Sequence, residues 1–587
     1  MALLPHCMLT TLLRLLAALL AFLPWLVVRG LLRLRSRRRL VANLRLHGGL
    51  RESASPARRF DPDPGRSLLE LLEHLRTASE EPSVRAVALR IGSLAAGWAQ
   101  LDELREAISE LRRRGRPVHA YLDRPGHAEL YLAAACDHVT LAPLASVDLV
   151  GLRAEVTFYK DALAKASVEP HFLSAGDYKA YGETFTRTSM SDEAREALDF
   201  VMGGIHRGLV AAVAAGRDLT PEAVQALVDG GPHSAKEALD AGLVDAVEYP
   251  DAWRRALRRS LGDDVPEPDE DRDSEGTRHH FVGLGKAIRL RRRERWLRSV
   301  GKGRKAVAVL ALEGSIVDSD GTTEGPGRIS PRPTIEALKA LRTDDQVGAV
   351  VLRVNSPGGS GLASDMIWRE LRRLAEKKPV VASMGSVAAS GGYYLSMAAH
   401  EILADPLTIT GSIGVVAGKF DVSGLLERLG VTRDVLSYGA NSGLNSPTSG
   451  LTDAERERLR QHIEEFYAAF VGKAAECRGV PYDELEPHAQ GRIWTGEQAV
   501  QRKLVDSLGG VRDAVRRAGV RGKLGAEPEI WLVEPPRPGL LERLGSLPIT
   551  GVQAMRRQVE GTLGVELDRL EDGDPVQARM PFSLVIR

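Results

Sequence analysis

The serine at position 390 lies among small residues, Ala388-Ala389-Ser390-Gly391-Gly392, directly after the β-rich run PVVASM. That pattern predicts a strand-to-helix turn with the hydroxyl held at its apex, the layout of an exposed nucleophile. Small neighbours leave room for a substrate carbonyl. The same pattern also fits a plain helix N-cap. Asn355-Ser356-Pro357-Gly358-Gly359 likewise follows a buried-strand pattern and precedes a helix. Two glycines there let the backbone turn its N–H groups inward, which suits an oxyanion hole. Gly358, Gly359 and Gly391 are the candidate donors. Taken alone, this segment is equally an ordinary turn. The two motifs together, at the ends of neighbouring strands, are a stronger signal than either one.

A serine hydroxyl needs a base. The histidines of the second half are His400, His462 and His488, and no acid pairs visibly with any of them. The alternative is a lysine kept neutral by desolvation. An internal repeat nominates one. VRAVALRI (84–91) matches VGAVVLRV (347–354) at a separation of 263, and AGLVDAV (241–247) matches RKLVDSL (502–508). The first copy has His127 at the place of Ser390 and GSLAA (92–96) at the place of the Asn-Ser-Pro-Gly-Gly segment. It therefore lacks both nucleophile and oxyanion glycines. It does hold Lys179, in GDYKAY, where the second copy has Ser442. A lone lysine in a polar loop is commonly just solvated. The reciprocal loss is what singles Lys179 out.

These residues need a frame. Each copy alternates short β-rich runs with helical spacing, as in VAVLAL (307–312), 334–341, AVVLRV (349–354) and 366–375. This predicts an α/β fold with a parallel sheet covered by helices. In such sheets ligands bind beyond the carboxyl ends of the strands. The expected boundaries are a membrane anchor with basic flank at 1–40, a first repeat at 41–262, a charged linker at 263–304, a second repeat at 305–520 and an extension at 521–587.

The chain has 587 residues and a net charge of +1, which gives no global pull toward nucleic acid. Cys7, Cys136 and Cys477 are far apart and odd in number, so neither a disulfide framework nor a metal site is indicated. Residues 1–40 hold seven arginines and no acid, around an apolar run at 12–28 interrupted by Arg14. The 14 uncharged residues at 15–28 fall short of the ~20 of a usual spanning helix. A membrane anchor, an interfacial helix and a cleaved signal peptide all remain open. The basic stretch RLRRRERWLR predicts a helix, either solvated or lying on a membrane surface.

The set NSPGGS (355–360), MGSVAASGGYYLS (384–396), TGSIGVV (410–416), DYKAYGETF (177–185) and GRIWTGEQAVQRKLVD (491–506) resembles the signal peptide peptidase family of the long, two-repeat type. The resemblance spans roughly residues 60–520. It implies tandem ClpP/crotonase-like repeats of βαβ units with an N-terminal membrane-associated helix. It implies a Ser–Lys dyad of Ser390 and Lys179, with no metal or cofactor. It also implies hydrophobic peptide substrates, among them cleaved signal peptides. Membrane lipid, a homotetramer and a bacterial-type inner membrane location complete the expectation, with no nucleic-acid partner. Two other readings stand beside it. An acyl-CoA hydratase or isomerase on the same fold would need acids near the glycines. An inactive scaffold would keep Ser390 and Lys179 apart.

Overall fold

The computed structural model describes residues 39–52, 66–263, 279–299, 305–318, 327–533, 535 and 576–579, together with Phe22, 24–31 and Leu34. These residues form two compact units. The first comprises 1–152 and 206–305, and the second 153–205 and 306–587. Residues 153–205 come from the first repeat by sequence but belong to the second unit.

Each unit carries a parallel sheet of the same strand order. In the first it runs Arg39–Arg51, Val84–Ala95, Val118–Leu122, His138–Leu141, Ala246–Val247. In the second it runs Ala306–Glu313, Val347–Ser356, Val380–Ala389, Glu401–Ala404, Ser507–Leu508. The matched strands Val84–Ala95 and Val347–Ser356 are the two members of the sequence repeat, so the expected α/β tandem is what the chain forms. These strands are rich in Val, Leu and Ala and buried over most of their length, as strands covered on both faces must be. Among the cysteines, Cys136 is buried and Cys477 half-buried, both as free thiols.

Local chemistry fixes the helix ends. Ser360 caps Gly361–Ala375 by accepting from Ala363 N at 3.1 Å. Thr452 and Glu455 form a capping box on Asp453–Arg478, and Gly479 closes that helix in the left-handed region at φ 63°. The basic stretch forms the helix Leu284–Ser299, whose Arg295 pairs with Glu80 at 2.8 Å. Among the described residues one helix, Asp192–Arg217, is long and apolar enough to cross a membrane. Its stripe Val201, Ile205, Leu209, Val213 is buried, as in a core helix.

Among the described residues, the second unit has a further sheet without a counterpart in the first. Its order is Arg328–Ile329, Ser315–Ile316, Gly358–Ser360, Val576–Arg579, Val415–Asp421, Glu169–Ala175. The last pairing is antiparallel over seven residues, from Val415 opposite Ala175 to Asp421 opposite Glu169. It places the segment leading to Lys179 beside the third strand after Ser390. The apolar run expected at 12–28 lies mostly outside the described residues. Where described, Phe22, 24–31 and Leu34 are helical, and Phe22, Leu26, Val27, Leu31 and Leu34 are exposed.

Candidate active site

Strand Val380–Ala389 delivers Ser390 to the first turn of helix Gly391–Ser396. Its register against Ile409–Gly411 continues through the bond from Ser390 N to Gly411 O, 2.8 Å. Ser390 adopts φ 56° and ψ −114°, a conformation that L residues occupy at a cost. Buried strands on both sides hold it there. The turn brings two chain segments unusually close. A Cβ on Gly391 would meet Ser364 Oγ at 2.7 Å and Gly358 Cα at 3.1 Å. Gly391 and Gly358 are thus brought together at the carboxyl ends of neighbouring strands. Gly358 N–H donates to Ser356 Oγ at 3.2 Å. Gly391 opens the helix, so its N–H has no intrahelical acceptor. Gly359 lies one step on, in register with Ile316.

Lys179 Nζ stands 2.8 Å from Ser390 Oγ. It is 2 % exposed, and its other partners are Ser412 O and Ser412 Oγ, each at 3.0 Å. No carboxylate is among these partners. Burial alone therefore acts on the amine, and it lowers the Lys179 pKa well below the ordinary lysine value. A neutral amine beside a buried hydroxyl can take that hydroxyl's proton as it attacks a carbonyl.

The lysine loop is clamped from several sides. Tyr178 N donates to Gln490 O at 2.8 Å, and Asp177 N to Gln490 Oε1 at 3.1 Å. Gly491 lies flat on Lys179, where a Cβ would come within 2.7 Å of Lys179 Cβ. Arg492 O accepts from Ser412 N at 2.7 Å, and the Arg492 side chain donates to Tyr178 Oη at 3.0 Å while stacking on its ring. One short segment, 490–492, thereby holds both Lys179 and Ser412. Beyond the lysine, Phe172, Phe185 and Phe420 pack ring on ring at 5.1–5.3 Å, and Tyr181 joins them.

Ser412 and 490–492 received no role from the sequence. The available signal was the TGS run and the glycine at 491, both inside motifs without a stated function. Ser412 too has a positive φ, 52°. The histidines stand elsewhere. His400 Nδ1 accepts from Val380 N at 3.1 Å, His462 is exposed and His488 lies near Trp494. Ser442, the sequence counterpart of Lys179, is exposed in a loop. Among the described residues no group of His, Cys, Asp and Glu has the arrangement of a metal site.

The family model described as Peptidase family S49 matches this chain twice, over residues 110–262 and 372–524. The chain is 33 % identical over 522 residues to a protein of Arabidopsis thaliana named Serine protease SPPA, chloroplastic, spanning 88 % of this chain and 74 % of that one. It is 33 % identical over 468 residues to Protease 4 of Salmonella typhi, spanning 78 % and 72 %. It is also 33 % identical over 217 residues to a protein of Enterococcus faecium named Putative signal peptide peptidase SppA, spanning 37 % and 63 %.

Proposed function

The chain belongs to peptidase family S49 and is a serine-type peptidase, and from that premise we propose that Ser390 is its nucleophile and Lys179 its general base, paired within one chain. The observation that carries the assignment is the 2.8 Å contact between Lys179 Nζ and Ser390 Oγ in a buried pocket. Neutral Lys179 removes the hydroxyl proton as Ser390 Oγ attacks a peptide carbonyl. The oxyanion is stabilised by backbone N–H groups of the Gly358–Gly359 segment and of Gly391. Lys179 then gives its proton to the leaving amine. A water, deprotonated by the same amine, resolves the acyl-enzyme.

The substrates are hydrophobic peptides, cleaved signal peptides among them. The name of the Enterococcus faecium relative points the same way. We assign membrane association to the N-terminal segment, where exposed Phe22, Leu26, Val27, Leu31 and Leu34 sit among seven arginines. From the family resemblance we also assign an inner-membrane location and a homotetramer.

The test is hydrolysis of a fluorogenic hydrophobic peptide by the wild type, Ser390→Ala and Lys179→Ala, with folding followed by circular dichroism. Loss of a catalytic dyad member costs roughly 10⁴-fold or more in kcat. Both variants are expected to fold and to lose turnover on that scale. Near-full turnover by Lys179→Ala would overturn the base assignment.

A further inference from the structure

Strand Val576–Arg579 lies between two walls of the proposed active site. On one edge it pairs antiparallel with Gly358–Ser360, setting Arg579 opposite Gly358, Ala578 opposite Gly359 and Gln577 opposite Ser360. On the other edge it pairs antiparallel with Val415–Asp421, setting Gln577 opposite Val416 and Val576 opposite Ala417. Among the described residues the two walls do not pair with each other, and this strand bridges them in the sheet. Without it, two strand edges would stand open, a slot one strand wide.

The slot leads to the nucleophile. Gly358, opposite Arg579, is the residue whose Cα approaches Gly391, and Gly391 follows Ser390. The other wall begins three residues after Ser412, the partner of Lys179 Nζ. An extended peptide whose carbonyl is to reach Ser390 has this slot to lie in. It would be held by main-chain hydrogen bonds on both edges, as in other β-strand additions. Such a slot reads backbone first, and that suits a peptidase with many substrates.

We propose that residues 576–579 occupy, in cis, the groove that extended peptide substrates must enter, so that the chain's own tail strand competes with substrate for the active site. This rests on the peptidase reading above. A tethered segment competes at an effective concentration in the ~mM range, so weak intrinsic affinity suffices to keep the groove largely filled. Substrate affinity is then reduced by the fraction of time the groove is empty. Chemistry, once substrate is bound, is unaffected.

The experiment uses the full chain with Ala578→Pro. Proline has no N–H and cannot continue a strand paired on both edges. The expected result is a KM lower by about 5–10-fold with kcat unchanged, while Ala578→Val, which keeps the strand, behaves as the wild type. Gln577→Pro repeats the test one position along should Ala578→Pro fail to fold. A second readout does not need catalysis. A fluorescein-labelled peptide of residues 574–580 is expected to bind Ser390→Ala/Ala578→Pro at least ~10-fold more tightly, by polarisation, than Ser390→Ala with its native tail. Equal KM values and equal peptide binding would overturn the proposal while leaving the peptidase reading intact. Absence of Ser390-dependent hydrolysis would defeat the peptidase reading, and the polarisation result would still decide whether the tail fills the groove.

Discussion

At corresponding places the two units hold opposite things. In the second unit, Gly391 and Gly358 meet backbone to backbone beside Ser390. In the first, the Glu129 carboxylate ties the two corresponding segments together. Glu129 Oε1 accepts from Leu94 N at 2.6 Å and Oε2 from Gly126 N at 2.8 Å. Leu94 lies in the counterpart of the glycine segment, and Gly126 precedes His127, the counterpart of Ser390. One repeat joins these segments by closely packed glycines, and the other by a permanent carboxylate.

The scaffold contacts, by contrast, are kept in both. Arg217 pairs with Asp245 at 2.6 Å, and Asp245 accepts from Val139 N at 2.7 Å. Arg478 pairs with Asp506 at 2.5 Å, and Asp506 accepts from Ile402 N at 2.7 Å. Arg90 and Arg353 occupy one repeat position with different surroundings. Arg90 makes a partly exposed pair with Asp123 at 2.6 Å, whereas Arg353, fully buried, donates to Ser383 Oγ at 2.9 Å and Met384 O at 3.0 Å. Strand length diverges too. Val118–Leu122 has five residues and Val380–Ala389 has ten. The longer strand carries Ser390 out to the turn. The comparison teaches that duplication preserved what holds each sheet together and released what one copy alone could supply.

The contrast can be broken most severely at Gly391. Gly391→Ala is expected to push the turn away from Gly358 and Ser364 and to lower kcat by about 100-fold, the scale of losing an oxyanion donor. Steady-state kinetics measures it, and a change in KM alone would count against an oxyanion role for Gly391. The first unit offers the matching test. Glu129→Ala removes the acceptor of two half-buried N–H groups and is expected to cost about 1 kcal/mol of stability in denaturant unfolding, with peptidase activity per folded molecule unchanged. A comparable loss of activity would mean that the first unit takes part in catalysis.

The smallest effect concerns Ser412. Catalysis requires neutral Lys179, so kcat/KM is expected to fall as pH drops through the lowered pKa of that amine, and to level off above it. Ser412→Ala removes an acceptor that favours the charged amine. The acid limb should then move to still lower pH, with kcat reduced by roughly 10-fold through poorer positioning of Nζ. An unshifted limb would separate Ser412 from the lysine.

The sequence made some of this legible and not the rest, for physical reasons. The repeat at 263 residues, the alternation of strand and helix, and the small residues around Ser390 are local patterns. The strand that delivers Lys179, EPHFLSA at 169–175, is short, mixed in polarity and paired with a partner over 240 residues away. Nothing in its periodicity announces a strand. The role of Ser412 depends on a backbone conformation that a serine code does not reveal. The tail strand, four residues of VQAR, is defined by its neighbours rather than by its own composition.

The most direct test of the dyad is the rate at which a fluorophosphonate labels Ser390 as a function of pH, with the labelled residue located by peptide mass spectrometry, in the wild type and in Lys179→Met. The expected result is labelling at Ser390 whose rate climbs with pH through one ionisation well below the ordinary lysine range, and near-complete loss of labelling in Lys179→Met. Labelling of Lys179→Met at the wild-type rate, with the wild-type pH dependence, would contradict the account.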